Sequence, residues 1–531
     1  MNQAENTEII GKVVFFNYSA GIIKYVGPLT ENSEFWYGIE WRDSSRGKHD
    51  GSYKGKKYFT TRHQTGGSFV KPSKVDFGIG IWKALEEKYL DNNGSMKKTN
   101  ETDENEDSLL YNNFDAKKTG LHIKCITLTQ SRISSVEGLE NVSNFFPNLI
   151  EIHLDDNLLN SWSQIFAIVD HLKKLKILNV SNNFLNYDCE EKKTFDNIQC
   201  LVLNKMNYSW NDICLILLHF PHLSQLKVCF NLITNLDQIS VVCLSTLRVL
   251  DIESNPICDW KNLLKIGELP SLEILYANQT QLEKIEFNDC GYSEKTSLFS
   301  NLKVLSLNEN KINNWKSINE LNKLKSLEEL MFKLNPLCNT ENDGTLRQMI
   351  ISKISSLRMF NRTRVERDER IGDERKSSEI DYLKKFAKQW YEIREAINSA
   401  ESVDVKNNFE QKLSDFYFDH PRYLELVKIY GATEKVETEI KPDTVKSNLL
   451  ALKVFNEISG KTIERKIPST IEIKRLKVII RTFFKADFTN ENIKLFYKTN
   501  KISDEEYELD NDYRVLNFYS IENGDTIIAR H

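Results

Sequence analysis

Between Ile123 and Asn335 apolar residues recur at the first, fourth and sixth places of a repeating unit, often with asparagine at the ninth. The clear copies are Leu149-Ile152-Leu154-Asn157, Leu175-Leu178-Val180-Asn183, Leu223-Leu226-Val228-Asn231, Leu247-Leu250-Ile252-Asn255, Leu302-Leu305-Leu307-Asn310 and Leu327-Leu330-Phe332-Asn335. Degenerate copies start at Ile123, Ile198 and Leu272, so nine starts lie 23 to 30 residues apart. A single unit of that length cannot close a core; stacked units can, each giving one short strand to a parallel sheet and its leucines to a shared interior. The recurrent asparagine is expected to satisfy backbone groups where the chain turns after each strand, and not to bind a ligand. After Asn335, residues 346–370 read as a helical cap on the last unit.

This period is that of a leucine-rich repeat solenoid, placed at 121–375 with its cap. From Ser378 the spacing changes: Ile380, Leu383, Phe386, Ala387, Trp390, Ile393 and Ile397 form one apolar helical stripe, and Pro421 and Gly431 end a helical region assigned to 378–447. From 448 to 531 the pattern reads strand, turn, strand, then a helix over "IEIKRLKVIIRTFFKADF", then strands at "IKLFYKTN", "YRVLNFYSI" and "GDTIIARH". That order is an α+β β-grasp, which resembles ubiquitin. Residues 9–80 carry short strand-like runs and 11 of the 21 glycines, as a small turn-rich β-barrel does. Residues 86–118 are polar and acidic, and read as a flexible linker.

Composition narrows the function classes. At 531 residues with 40% hydrophobic and 28% charged positions the chain is multidomain, and it has no apolar run near the ~18 residues that span a bilayer. The N-terminus lacks a secretory pattern. Nine cysteines lie between Cys125 and Cys338 with no CxxC pair; an odd number cannot close into intramolecular disulfides, so a reducing compartment and buried structural thiols are expected. Neither a GxSxG elbow, nor HExxH, nor a zinc spacing is present, and no enzyme activity, metal or cofactor is expected. His219 and His222 flank Pro221 and read as surface residues.

Charge singles out the first domain. Residues 10–80 hold eleven Lys/Arg against six Asp/Glu, while the whole chain carries −5. An anionic partner for this domain follows. The densest stretch, "WRDSSRGKHDGSYKGKKYF" at 41–59, contains Gly47, Gly51 and Gly55 among six cations and four aromatics. A phosphate loop is excluded, because Arg42 stands where GxxxxGK[ST] needs its first glycine and His49 follows the lysine.

"GKHDGSYKGKKYF" followed by "TGGSFVKPSKVDFG" resembles a CAP-Gly domain, whose family motif is GKNDG. The resemblance implies binding of acidic C-terminal tails ending in Glu-Glu-Tyr or Glu-Glu-Phe, as in α-tubulin. The implied tail-binding residues are Trp36, Tyr37, Gly47, Lys48, His49, Asp50, Gly51, Phe59 and Lys71. Glycines admit the peptide backbone, Lys48 pairs with a carboxylate, and Trp36, Tyr37 and Phe59 wall a slot for the terminal ring. His49 replaces the motif's asparagine, bringing a different reach and a pH dependence. Glu31 stands near the place of a cavity aromatic.

The whole order, with "GKHDG" and with "SSEIDYLKKF" after the repeats, is similar to the tubulin-folding cofactor E family. That resemblance implies a chaperone of the cytoplasm and cytoskeleton whose partners are α-tubulin and the cofactors B, C and D with β-tubulin. It would assemble the heterodimer and, with cofactor B, dissociate it. Lacking a Gly-Gly end, the ubiquitin-like domain reads as a docking module for a cofactor or the proteasome. Nucleic acid and membrane are not expected partners. The alternatives are a microtubule-lattice adaptor and a ubiquitin-pathway scaffold. Glu505-Glu506-Tyr507 also reads as an internal mimic of a tubulin tail.

Overall fold

The computed structural model describes residues 9–29, 34–90, 120–188, 193–236, 244–372, 377–400, 402–432, 449–484, 493–498 and, with short gaps, 506–530. Two compact units result: one comprises 1–340, 350–377 and 414–423, and the other 341–349, 378–413 and 424–531.

In the first unit, residues 9–80 form an antiparallel sheet in the order Val13–Phe16, Ser19–Pro28, Phe35–Trp41, Gly67–Val70. A separate small hairpin pairs Ser52–Tyr53 with Lys56–Lys57. Strand alternation sends Val14, Ile23, Tyr37, Ile39, Trp41 and Val70 to one core. The next residues do not leave the domain as a linker. Ile79–Gly80 pairs in parallel with Ile133–Ser135, and helix Ile81–Tyr89 buries Ile81, Ala84 and Leu85. Trp82 lies against Gly138, where a Cβ would come within 2.4 Å of it. Glu86–Tyr89, expected in the linker, are therefore the last turn of this helix, whose apolar face 81/84/85 has somewhere to pack; the part of that segment from 91 to 118 lies outside the described residues.

Nine strands from Cys125–Thr127 to Glu329–Met331 stack in parallel, one for each expected repeat start. Their central residues, among them Ile126, Ile152, Leu178, Leu226, Leu250 and Leu330, stand in register and are at most 1% exposed. The asparagines form a second ladder outside the leucines. Asn255 Nδ2 donates to Val228 O and Ile252 O, both at 2.9 Å, while its Oδ1 accepts from Asn231 N (3.1 Å) and Ile233 N (3.2 Å). The residue before each ladder asparagine, such as Asp156, Asn182, Ser254 or Glu309, has φ between 55° and 58°, a left-handed turn that the amide bonds hold closed. In the degenerate copy Thr280 substitutes, donating from Oγ1 to Ala277 O at 2.9 Å.

The expected helical cap is mixed. Helix Asp343–Lys353 is followed by a further parallel strand, Met359–Phe360, and an antiparallel one, Thr363–Arg364, which together end the sheet. Arg370 donates to the carbonyl of Ile351 in the last turn of that helix and to those of Ile354 and Leu357 in the chain just after it. The seven described cysteines are not all buried as expected. Cys125 is exposed because Ile126 takes the inward place of its strand, and Cys258 because it occupies a turn at φ 62°.

Helices Ser378–Asn398, Val403–Asp419 and Tyr423–Tyr430 fill the helical region, with the break at Pro421 between the last two; its polar end, 433–447, lies outside the described residues. The C-terminal sheet runs Lys461–Pro468, Leu449–Asn456, Thr526–Arg530, Lys494–Lys498, Tyr507–Glu508, and packs on helix Ile473–Phe483 through Leu452, Val454, Leu476, Ile480 and Ile527. The strand expected at 513–521 is instead a 3₁₀ turn, Leu516–Tyr519. Its approach is held against the start of the helix, where Ile473 N donates to Arg514 O and Leu516 N to Ile471 O, both at 2.8 Å. Tyr507–Glu508 supplies the edge strand, and this corrects the reading of Glu505-Glu506-Tyr507 as a tail mimic. Tyr507 pairs with Tyr497 in the sheet and Glu506 is ion-paired with Arg530 at 2.6 Å, so neither is presented as a free tail; Glu505 lies outside the described residues. No described helix is long and apolar enough to cross a membrane.

Candidate functional site

Three strands of the N-terminal sheet place Tyr25, Gly38 and Phe69 side by side on the face opposite the core. Gly38 leaves a gap there, and Phe59 fills it; a Cβ at 38 would sit 2.4 Å from the Phe59 ring. Around Phe69 gather Phe59 (5.5 Å between ring centres), Tyr58 (5.6 Å), Tyr53 (6.2 Å) and Tyr25 (6.3 Å), mostly edge to face, with the His49 ring stacked on it at 4.8 Å. The result is an aromatic nest in which Phe59 is buried and Tyr53 is exposed to solvent.

The loop 47–51 borders that nest because two glycines let it lie flat on neighbouring backbone. A Cβ on Gly47 would fall 1.9 Å from Thr65 O, and one on Gly51, at φ +95°, 2.0 Å from Phe59 O. Lys48 N and His49 N both donate to Gly67 O, and Gly67 N returns a bond to His49 O at 2.7 Å. Asp50 points along the loop, accepting from Lys57 Nζ at 2.5 Å and Ser52 N at 3.1 Å. The Lys57 bond is the larger cause that holds its carboxyl down at about 2, with Ser52 adding to it. Asp50 is thus a loop brace. Lys48 is exposed and has no ion-pair partner among the described residues.

Of the expected residues, Gly47, Lys48, His49, Asp50, Gly51 and Phe59 are brought together at the nest. Trp36 and Lys71 lie further along the sheet, with the Lys71 ammonium 5.8 Å from the Trp36 ring centre and 2.6 Å from Glu34. Tyr37 is not part of the site. It is 2% exposed and packs in the core with Ile39 and Trp41, because alternation puts 37, 39 and 41 on the inner face. Glu31 lies outside the described residues.

The CAP-Gly domain family matches residues 10–75. Over the full chain, tubulin-specific chaperone E of Danio rerio is 33% identical, covering 98% of this chain and 99% of its own, and that of Homo sapiens is 32% identical with both chains covered completely. This chain belongs to the tubulin-specific chaperone E family. A solved structure, the C-terminal ubiquitin-like domain of mouse tubulin-specific chaperone E, aligns at 29% identity over 16% of this chain and 86% of its own, with a TM-score of 0.15.

In this tubulin-specific chaperone E family member the sequence reading missed Phe69, the centre of the nest, together with Tyr25, Tyr53 and Tyr58. A partial signal was present, since a glycine in mid-strand, Gly38, marks a close approach by another group; that Phe69 is its cross-strand neighbour is seen only in the sheet register. Tyr58 is anchored by donating to Leu29 O at 2.5 Å.

His49 has a structural part. Its Nδ1 accepts from Gly51 N at 3.0 Å, closing the turn, and its half-buried ring is held below the ordinary histidine range, chiefly by desolvation against a smaller opposing pull from Asp50. The sign follows from linkage. Above the unfolded value near 6.5 both states are neutral and nothing changes; below it the unfolded chain takes a proton that the folded loop resists, so stability falls as pH drops through that window. We expect the His49 Cε1–H signal in histidine-labelled protein to titrate with a midpoint below 6.5 and to be missing from His49→Asn. A midpoint above 6.5 would contradict the hydrogen bond from Gly51.

One set of side chains elsewhere brings sulfur, oxygen and nitrogen within 4.8 Å of one another: Cys125, Glu151 and His153 on adjacent strands. Its hydrogen bonds use the imidazole. Asn179 Nδ2 faces His153 Nδ1 at 3.2 Å, and its orientation is set by Ser181 N donating to its Oδ1 at 3.1 Å. The network therefore assigns the ring proton to Nε2, which donates to Glu151 at 2.9 Å, and leaves neither nitrogen free for a metal.

Proposed function

We propose that this protein is a tubulin-folding cofactor that holds α-tubulin by its acidic C-terminal tail at the loop 47–51 and by its body on the repeat solenoid. The observation that carries the reading is the aromatic nest around Phe69, bordered by a glycine loop and the exposed Lys48. Such a site suits a chain end with an aromatic ring and carboxylates: the ring enters the nest, and the loop and Lys48 face the acids. Family membership supports tubulin as the partner. Assembly of the heterodimer with cofactors C and D, its dissociation with cofactor B, and a docking role for the ubiquitin-like domain toward a cofactor or the proteasome belong to the same reading. So do the domain limits set above and a place in the cytoplasm at the cytoskeleton.

The test is capture of soluble tubulin by the full chain, with intact tubulin and with tubulin whose C-terminal tails have been removed by protease. Retention should fall for the tail-less form, in raised salt and for Lys48→Ala. Equal retention across all of these would overturn tail capture. Preference for polymer over soluble tubulin would favour the lattice-adaptor alternative.

A further inference from the structure

A second cationic site lies on the solenoid, at the edge where the first three strands begin. A cavity of about 520 Å³ there is lined by His122, Lys124, Lys173, Lys174 and Lys176, with Leu121 and Ile150 among its apolar walls. All four lysines are exposed. Lys173 is spoken for by Asp170 at 2.8 Å, and Lys174 donates to Asn148 at 2.6 Å. Lys124 and Lys176 have no ion-pair partner among the described residues, and the nearest strand acid, Glu151, is engaged by His153. The fold holds these two lysines in place: each immediately precedes its strand, and the strands containing Ile177 and Cys125 flank the one containing Glu151.

We propose that this edge binds an acidic polypeptide segment, separately from the site at 47–51 and without depending on the function proposed for it. Spacing supports a peptide. Two strand steps put Lys124 and Lys176 roughly 10 Å apart, while carboxylates three residues apart on one side of an extended polyproline-type chain are separated by roughly 9 Å. Leu121, 46% exposed, and half-buried Ile150 offer contact to an apolar side chain between those acids. The apolar walls Leu121 and Ile150 beside the lysines favour a peptide, whose side chains can cover them, over a phosphate backbone, which offers nothing apolar there.

The probe is a short fluorescein-labelled polyglutamate peptide containing one leucine and amidated at its C-terminus, which removes the terminal carboxylate that Lys48 would recognise. Anisotropy with the full chain at low salt should show binding that weakens about tenfold or more in Lys124→Ala/Lys176→Ala, unchanged in Lys48→Ala, and lost when the glutamates become glutamines. An unchanged melting temperature in the double variant excludes misfolding, as expected for exposed lysines. Equal affinity in wild type and double variant overturns the proposal. So does a tripolyphosphate or duplex DNA that binds more tightly than the peptide through the same two lysines, since the site would then be one for phosphate.

Discussion

Gly47→Ala is expected to abolish capture of an acidic tail peptide while leaving the solenoid folded, and it is the more telling because the conformation at 47 is one any residue can adopt. At φ −72° and ψ 175° the backbone imposes no preference for glycine. The obstacle is purely steric, a Cβ placed 1.9 Å from Thr65 O and 2.4 Å from the carbonyl carbon of Gly66. Both are backbone atoms, so relief requires the loop to lift from the Gly67 strand and break the two bonds that Lys48 N and His49 N make to Gly67 O. Titration calorimetry with a peptide ending in Glu-Glu-Tyr should show at least a tenfold loss, about 1.4 kcal/mol. Gly55→Ala is the control. Its φ of +78° is unfavourable to alanine, but nothing lies within 4 Å of its Cβ, so it should keep most of the affinity. If both variants bind as wild type does, the loop is not where the tail docks.

The second large effect is expected in the solenoid. Asn255→Ala removes one side chain and takes its bonds from Ile252 O, Asn231 N and Ile233 N in an interior where Asn255 itself is 0% exposed, while Val228 O keeps only its bond from Asn231 Nδ2 at 3.0 Å. Each such group costs roughly 1–3 kcal/mol when unsatisfied, so a loss of about 4 kcal/mol is expected, even after partial relaxation. The left-handed turn at Ser254, φ 58°, loses its tie at the same time. Asn255→Thr should recover part of the loss, since Thr280 already makes the carbonyl bond in its own repeat. Urea unfolding followed by far-UV circular dichroism measures both. Equal midpoints for alanine and asparagine would mean that the ladder contributes nothing.

The repeats were legible because their period is long, strict and carried by the residues that make the core. Every expected start has its strand, and the asparagines do what an amide at a turn can do. The N-terminal site was legible in its loop and less so in its walls. Tyr37 was assigned to the slot with Trp36 and Phe59 as the resemblance implied, whereas the alternation Tyr37, Ile39, Trp41 already marks the inner face of that strand. Phe69 was passed over because its role depends on Gly38, fourth in "FWYGIEW" and thirty-one residues earlier, and cross-strand neighbours cannot be read from spacing along the chain. The misread strand at 513–521 has a similar cause: an apolar aromatic run has strand character, but its backbone bonds go to the start of the helix. Cys125 and Cys258 show that composition gives the average habit of a residue type, not the side of a strand on which it lands.

Helix Ile81–Tyr89 is not the only attachment between the N-terminal domain and the repeats. Arg42 reaches Asp156 at 3.3 Å and lies over the Phe184 ring at 4.1 Å, and Arg132 returns a bond to Asp76 at 2.7 Å. Burial lowers the Arg42 guanidinium to about 10, still charged at neutral pH. The proposed tail site is thereby anchored at one end of the solenoid, like a fixed jaw. A bound tail would be clamped at a set distance from whatever rests on the repeats, and the length of chain between a client's body and its tail tip becomes a selection criterion. Tails too short to bridge that distance would engage one surface or the other, never both.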